Sequence, residues 1–186
     1  MNRKIYQDQY DFELNQRNHL TSSVNVPIMV VIVVGGVVSS MVLNVPYALN
    51  ASSIVFSLAS IICAIFLLIS ICLLFGSSIG YKYMKLPPPS ELDRYYEELL
   101  QWHKNNGTET DARNDFDDYL YERLGESVEV NSNNNINRGN FLHMATIMIA
   151  VATLFLAISG AIYVYAKLQN GQTPYKVQII GTVDMK

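Results

Sequence analysis

Residues 53–75 read SIVFSLASIICAIFLLISICLLF, a stretch with no acidic or basic side chain. A bilayer core about 30 Å thick is crossed by roughly 20 residues of apolar helix, so this stretch is long enough to cross one unaided. It lies inside a larger charge-free region, since the 64 residues from Asn18 to Tyr81 contain no Asp, Glu, Lys or Arg. That region has room for two crossings and a turn. Another 28 residues, Gly139 to Ala166, are equally free of charge and have room for one more. The reading is an all-α integral membrane protein with three transmembrane helices and a cytoplasmic amphipathic helical segment between the second and third.

The boundaries follow from local chemistry. The first span is expected at about 26–43, with Asn25 as N-cap and Pro27 in the first turn, where a missing N–H costs little. Asn44, Pro46 and Asn50 mark a tight turn. The second span follows at about 53–75, the helix either ending there or continuing to Tyr83; Tyr81, Tyr83, Lys82 and Lys85 serve as interfacial anchors. The third runs over 141–166 and is closed by Tyr163, Tyr165 and Lys167. The segments 24–83 and 141–166 thus form the membrane part.

Three polar segments flank the spans. Residues 1–23 place Tyr6, Tyr10 and Leu14 at helical spacing among Arg3, Lys4 and Arg17, which fits either a short helix lying at the membrane surface or a frayed tail. The first apolar run begins only near Val24, behind Asp8, Asp11 and Glu13, so no cleavable signal peptide is expected. Residues 84–140 open on Pro87-Pro88-Pro89, which breaks any helix, followed by Ser90 and Asp93 spaced as in a capping box. Leu92, Tyr95, Tyr96, Leu99, Leu100 and His103 then recur at three–four spacing. After Asn105-Asn106-Gly107-Thr108, a second amphipathic helix is expected over 111–124, with Ala112, Phe116, Tyr119, Leu120 and Leu124 as its stripe. The Asn-rich run 131–135 reads either as loop or as the exposed stalk of a helix leading into the third span. In the tail, 167–186, Lys176-Val-Gln-Ile-Ile alternates like a short strand.

Orientation rests on the basic residues. The turn between the first two spans has none, the N-terminal arm has three and the 81–140 segment has seven. By the positive-inside tendency the N-terminus and the 84–140 segment are cytoplasmic, and the tail lies outside. The same 81–140 segment carries twelve Asp and Glu, and the chain as a whole has a net charge of −3. Nucleic-acid binding through a basic surface is therefore not expected.

No enzyme motif is present: there is no phosphate-binding loop, nucleophile elbow or dinucleotide fingerprint. His19, His103 and His143 are far apart, and none stands in ligand spacing with a cysteine or a second histidine. Neither a catalytic residue, a metal nor a cofactor is expected. Cys63 and Cys72 fall nine residues apart on one expected helix, too far to bridge within the chain. The spans hold no Asp, Glu, Lys or Arg, which argues against proton-coupled transport. They do hold small residues. Gly35 with Ser39, Gly36 with Ser40, and Ala157 with Ala161 are small-xxx-small pairs expected to mark helix-packing faces. Ser53, Ser57 and Ser60 share one face of the second span, either as packing hydroxyls or as the lining of a narrow pore in an oligomer.

The order of parts carries a resemblance. A Tyr-rich arm (Tyr10-Asp-Phe-Glu-Leu-Asn-Gln-Arg), a short hairpin of spans, Pro87-Pro-Pro-Ser-Glu-Leu leading into an acidic helical loop, and a third span together resemble the small multi-span membrane effectors and accessory proteins of bacterial anti-phage defence systems. The resemblance is one of layout. It implies a homo-oligomer in the bacterial inner membrane that gates or disrupts that membrane when triggered through its cytoplasmic part. Two functions are consistent with the residues. One is a pore-forming or membrane-perturbing effector. The other is a non-enzymatic scaffold or sensor that docks a soluble cytoplasmic protein through Leu92, Tyr95, Tyr96, Leu99, Leu100, Phe116, Tyr119 and Leu120. Those stripes must be buried against each other, a second copy or a partner.

Overall fold

The computed structural model describes residues 3–45 and 50–170, and every regular element among them is an α-helix. Five helices follow one another: α1 (Arg3–Ser23), α2 (Asn25–Asn44), α3 (Ala51–Ser78), α4 (Pro89–Asn106) and α5 (Glu109–Asn170). Three stretches are long and apolar enough to cross a membrane: α1 running on into α2, α3, and α5. Pro46 and the strand-like Lys176-Val-Gln-Ile-Ile run lie outside the described residues.

Local chemistry explains most helix ends. The Asn50 side chain accepts from the Ser53 amide at 2.8 Å and starts α3, relieving one of the unsatisfied N–H groups of a first turn. At the other end Ile79 turns extended and Gly80 takes φ +95°, a left-handed conformation that glycine adopts without Cβ strain. The second apolar helix therefore stops at Ser78 and does not continue toward Tyr83. Asn25 is not a cap, because Val24 stays in the right-handed helical region and its carbonyl accepts from the Ile28 amide; α1 leads into α2 almost without a break. Nor do Ser90 and Asp93 form the capping box. Pro88 is the N-cap and Pro89 is the first residue of α4, where proline's fixed φ suits the helix. The capping box stands at the start of α5 instead. There the Thr108 amide and hydroxyl donate to Asp111 Oδ2 at 2.8 and 2.7 Å, and the Asp111 amide donates back to Thr108 Oγ1 at 3.3 Å.

Contacts between elements give the directions. Tyr6 meets Tyr121, Glu13 meets Asn135 and Thr21 meets Arg138, so α1 runs parallel to α5. Ser77 meets Arg138, Cys63 meets Ala152 and Ser60 meets Ser159, so α3 runs antiparallel to it. Tyr95 and Tyr96 meet Tyr119 and Phe116, and His103 meets Asp115, so α4 folds back on the start of α5 as a helical hairpin. At about 1.5 Å per residue, α5 is roughly 90 Å long. Its second half packs with α2 and α3 in an apolar three-helix bundle. Its first half forms, with α1 and α4, a polar stalk.

The seam between α3 and α5 holds the bundle together. On α3 the buried positions Phe56, Ser60, Cys63, Leu67, Ser70, Leu74 and Ser77 alternate steps of four and three, the spacing that keeps one face turned to an antiparallel neighbour. Facing them are Ala145, Ile149, Ala152 and Ser159 of α5. Most are small, so the backbones come close: Cys63 Sγ reaches the Ala152 carbonyl at 3.2 Å, and the Ser60 hydroxyl donates to Ser159 Oγ at 3.3 Å. Val34 and Val38 of α2 complete a cluster with Cys63, Leu67 and Ala152, flanked by the stacked rings of Phe66 and Phe155.

This seam alters two expectations. The small-xxx-small pairs are not the packing faces within the chain. Gly36, Ser39, Ser40, Ala157 and Ala161 are exposed, and of the six residues only Gly35 is half-buried, near Leu67. The small side chains that permit close approach are Ser60, Cys63, Ser70 and Ser77 of α3 and Ala145, Ala152 and Ser159 of α5. The N-terminal arm is likewise not frayed. It is a helix packed along α5, with Tyr10, Glu13 and Leu20 buried.

Candidate functional site

Where the stalk meets the bundle, four polar side chains are buried: Glu13, Asn131, Asn135 and Arg138 are each 5% exposed or less. Buried polar groups are costly unless bonded, and these are bonded to one another and to backbone. Arg138 donates from Nε to the Ser77 carbonyl at 2.8 Å, from Nη1 to the Tyr83 hydroxyl at 3.0 Å and from Nη2 to Thr21 Oγ1 at 3.1 Å. The Tyr83 hydroxyl in turn donates to Asn135 Oδ1 at 2.6 Å. Asn135 Nδ2 then donates to the Glu13 carbonyl and to Glu13 Oε2, both at 2.8 Å, while Gln9 Nε2 reaches Glu13 Oε1 at 2.9 Å. The chain Arg138–Tyr83–Asn135–Glu13 thus joins a cation to a carboxyl group through two neutral relays. It ties together α1, the end of α3, the 79–88 connection and α5.

The asparagine run has a physical reason. Residues 81–88 have no regular secondary structure and lie beside α5, with no strand to satisfy their backbone groups. Asparagine side chains take that role. Asn131 pairs with both the amide and the carbonyl of Met84, at 2.9 and 3.0 Å, as a neighbouring strand would. Asn134 donates to the Lys82 carbonyl at 2.8 Å, and the Leu86 amide donates to the Tyr10 hydroxyl at 3.3 Å. Buried backbone groups need such partners, and an amide side chain offers donor and acceptor together. Residues 131–135 are therefore helix, but not an exposed stalk: Asn131 and Asn135 point inward. Arg138 also meets the last turn of α3, whose free carbonyls and negative dipole end favour a cation.

Two arginines flank one ring in this region. The guanidinium carbon of Arg17 lies 4.7 Å from the centre of the Tyr83 ring, and that of Arg138 lies 6.0 Å from it. Arg138 is also 5.9 Å from the centre of the Tyr81 ring.

The serine face separates. Ser60 is buried and engaged with Ser159 inside the chain. Ser57 and Ser53 are half-buried, and Ser57 lines a groove between α2 and α3 together with Ser39 and Ala64. The two amphipathic stripes meet each other. Tyr95 contacts Phe116 and Tyr119 at ring-centre distances of 6.3 and 4.5 Å, and Tyr96 contacts Phe116 at 5.1 Å. Leu92, Leu99 and Leu100 are half-buried and Leu120 is buried. The hairpin therefore turns outward its acidic side, including Glu91, Glu97, Glu98, Asp118 and Glu122, together with Trp102, which is 56% exposed. His103 lies beneath, with Nε2 2.9 Å from Asp115 Oδ2. No group of three or more His, Cys, Asp or Glu side chains among the described residues is arranged to hold a metal ion.

The polar core was the feature missed in the sequence, although a signal existed. Leu120, Leu124, Ser127, Asn131, Asn135 and Arg138 continue one three–four series, so the low-complexity run conceals an inward-facing helical stripe. Glu13 carried no comparable mark. Comparison with known proteins adds nothing to this geometry: no family model, no curated protein and no solved structure matches the chain.

Proposed function

We propose that the chain is a three-span membrane protein that acts without catalysis of its own, as a scaffold or sensor subunit whose cytoplasmic helical hairpin engages a soluble partner. The observation that carries the reading is the buried Arg138–Tyr83–Asn135–Glu13 network. It fastens α1 and the 79–88 connection to α5 at the point where the apolar bundle begins, and α5 itself is one 62-residue helix from hairpin to bundle. A force applied at the hairpin is transmitted along a continuous rod. The charge pattern supports a cytoplasmic hairpin and N-terminus, and the bacterial inner membrane remains the preferred location.

The hairpin's apolar stripes are engaged with each other, so its partner would meet the acidic outer side. A basic protein surface fits that side, with exposed Trp102 as the apolar anchor, since tryptophan is enriched among residues that dominate binding. Gly36, Ser40, Ala157 and Ala161, turned away from the bundle, support self-association, because small pairs let helices of separate copies approach closely in lipid.

The outward small pairs and the Ser39–Ser57 groove favour a second reading, an oligomeric pore or membrane-perturbing effector of the anti-phage kind. The two are separated by inducible expression in a bacterium with a membrane-potential dye. The scaffold reading expects an unchanged potential and salt-sensitive co-purification of a soluble protein that Trp102→Ala abolishes. Depolarisation lost in Ala157→Leu, with the monomer still folded, would favour the pore.

A further inference from the structure

At the junction of stalk and bundle lies a polar hollow of about 330 Å³, lined by Arg17, Thr21, Asn25, Tyr81, Tyr83 and Arg138. Beside it lies an apolar groove of about 370 Å³ between α2 and α3, lined by residues such as Ile28, Val31, Ile71 and Phe75. Val24 and Ser78 line both, so the two spaces are neighbours that share a wall. From their joint shape and chemistry we infer a binding site for one anionic phospholipid, its phosphate in the hollow and an acyl chain along the groove.

Charge is the first argument. Arg17 and Arg138 both face the hollow, and among the described residues no carboxylate lies within ion-pairing distance of either. The bonds of Arg138 go to neutral oxygens of Ser77, Tyr83 and Thr21, and its side chain is almost wholly buried. A cation held out of water without a counter-charge calls for an anion. Two guanidinium groups flanking one ring suit a phosphate, which accepts their N–H groups in pairs. Thr21 and Asn25 add short polar side chains to the same wall.

Position is the second argument. The hollow opens where the charge-free helices begin, and Tyr81 and Tyr83 stand there as aromatic side chains do at a membrane–water boundary. The groove beneath runs along the apolar surfaces of α2 and α3. Free phosphate would use the hollow and leave the groove unexplained. A lipid uses both. The inference rests on the membrane reading proposed above, and the experiment separates the two.

Carbonate extraction of membranes from expressing cells comes first; release of the protein would overturn both readings. If it is retained, the detergent-solubilised protein is exposed to equal amounts of phosphatidylglycerol and phosphatidylcholine, and bound lipid is counted by native mass spectrometry. Phosphatidylglycerol should be retained at one per chain, in about tenfold preference. Arg17→Gln should remove most of that preference, and Ile28→Trp, which fills the groove from an exposed position, should lower retention of the lipid; unchanged circular dichroism checks the fold of both. Equal retention of the two lipids, or retention indifferent to both substitutions, overturns the inference while the membrane reading stands. So does displacement of the lipid by millimolar inorganic phosphate, which would mark a site for the anion alone.

Discussion

The hydroxyl of Tyr83 lies 2.6 Å from Oδ1 of Asn135, linking the connection after α3 to the middle of α5. The same asparagine holds Glu13 from its other end, through two bonds of 2.8 Å. One side chain thus secures three segments that are far apart in sequence.

Asn135→Leu keeps the volume and removes both functions. It leaves the Tyr83 hydroxyl proton, Glu13 Oε2 and the Glu13 carbonyl without their Asn135 partner, while Gln9 still reaches Glu13 and Arg138 still reaches Tyr83. Losing these buried bonds costs about 1–3 kcal/mol. Tyr83→Phe removes two bonds, the one it donates to Asn135 and the one it accepts from Arg138, and should cost about 1–3 kcal/mol. Thermal unfolding in mild detergent measures both, and a neutral Asn135→Leu would refute the role assigned to the network.

The turn between α4 and α5 is tight against His103. A Cβ on Gly107 would come within 2.5 Å of His103 Nδ1 and 3.0 Å of Asp111 Oδ2. His103 cannot swing aside freely, since it is buried and its ring is bonded to Asp115. The backbone at Gly107, with φ −176°, is extended and open to any residue, so the obstacle is space alone. Gly107→Ala should destabilise the hairpin by about 1–3 kcal/mol, read as faster hydrogen exchange across α4 with the bundle unaffected.

The capping box at the start of α5 makes a pH prediction. The Thr108 hydroxyl, then the Thr108 amide, hold the Asp111 carboxyl below the usual carboxylate range, with a smaller contribution from His103. A carboxyl whose folded pKa is depressed stabilises the fold above its unfolded value, about 3.9, and that contribution is lost as pH falls through the folded value. The cap should therefore hold from neutral pH down to about 4 and loosen only below it. The Thr108 amide chemical shift should follow this titration, and Asp111→Asn should abolish the step.

Two serines on one helix face should respond differently. Ser60 is buried against Ser159, so Ser60→Leu overfills the seam between α3 and α5. Overpacking of this kind costs about 1–3 kcal/mol. Ser57 is half-buried beside the Ser39 groove, and Ser57→Leu should leave stability within about 0.5 kcal/mol. Only the second substitution is a clean probe of conduction. Equal losses of thermal stability in the two variants would contradict the seam.

The sequence by itself determined the helices. Charge-free runs, three–four spacing and the Pro87–Pro89 break are local properties, and they mark an all-helical chain with long apolar stretches and a break before α4; that the expected helices at 111–124 and 141–166 are one continuous helix they did not mark. Tertiary structure decided the partnerships. Whether Leu92 to Leu100 pack on Phe116 and Leu120 or on another chain depends on the turn at Gly107. That Ala157 and Ala161 face outward follows from Ala145, Ala152 and Ser159, which give α5 a second small-residue face that meets the serines and Cys63 of α3. The Asn run shows the limit most clearly. Asparagine is as suited to a solvated loop as to a buried bond, and only the irregular backbone of 82–86, together with Glu13 from α1, turns it into the polar core of the molecule.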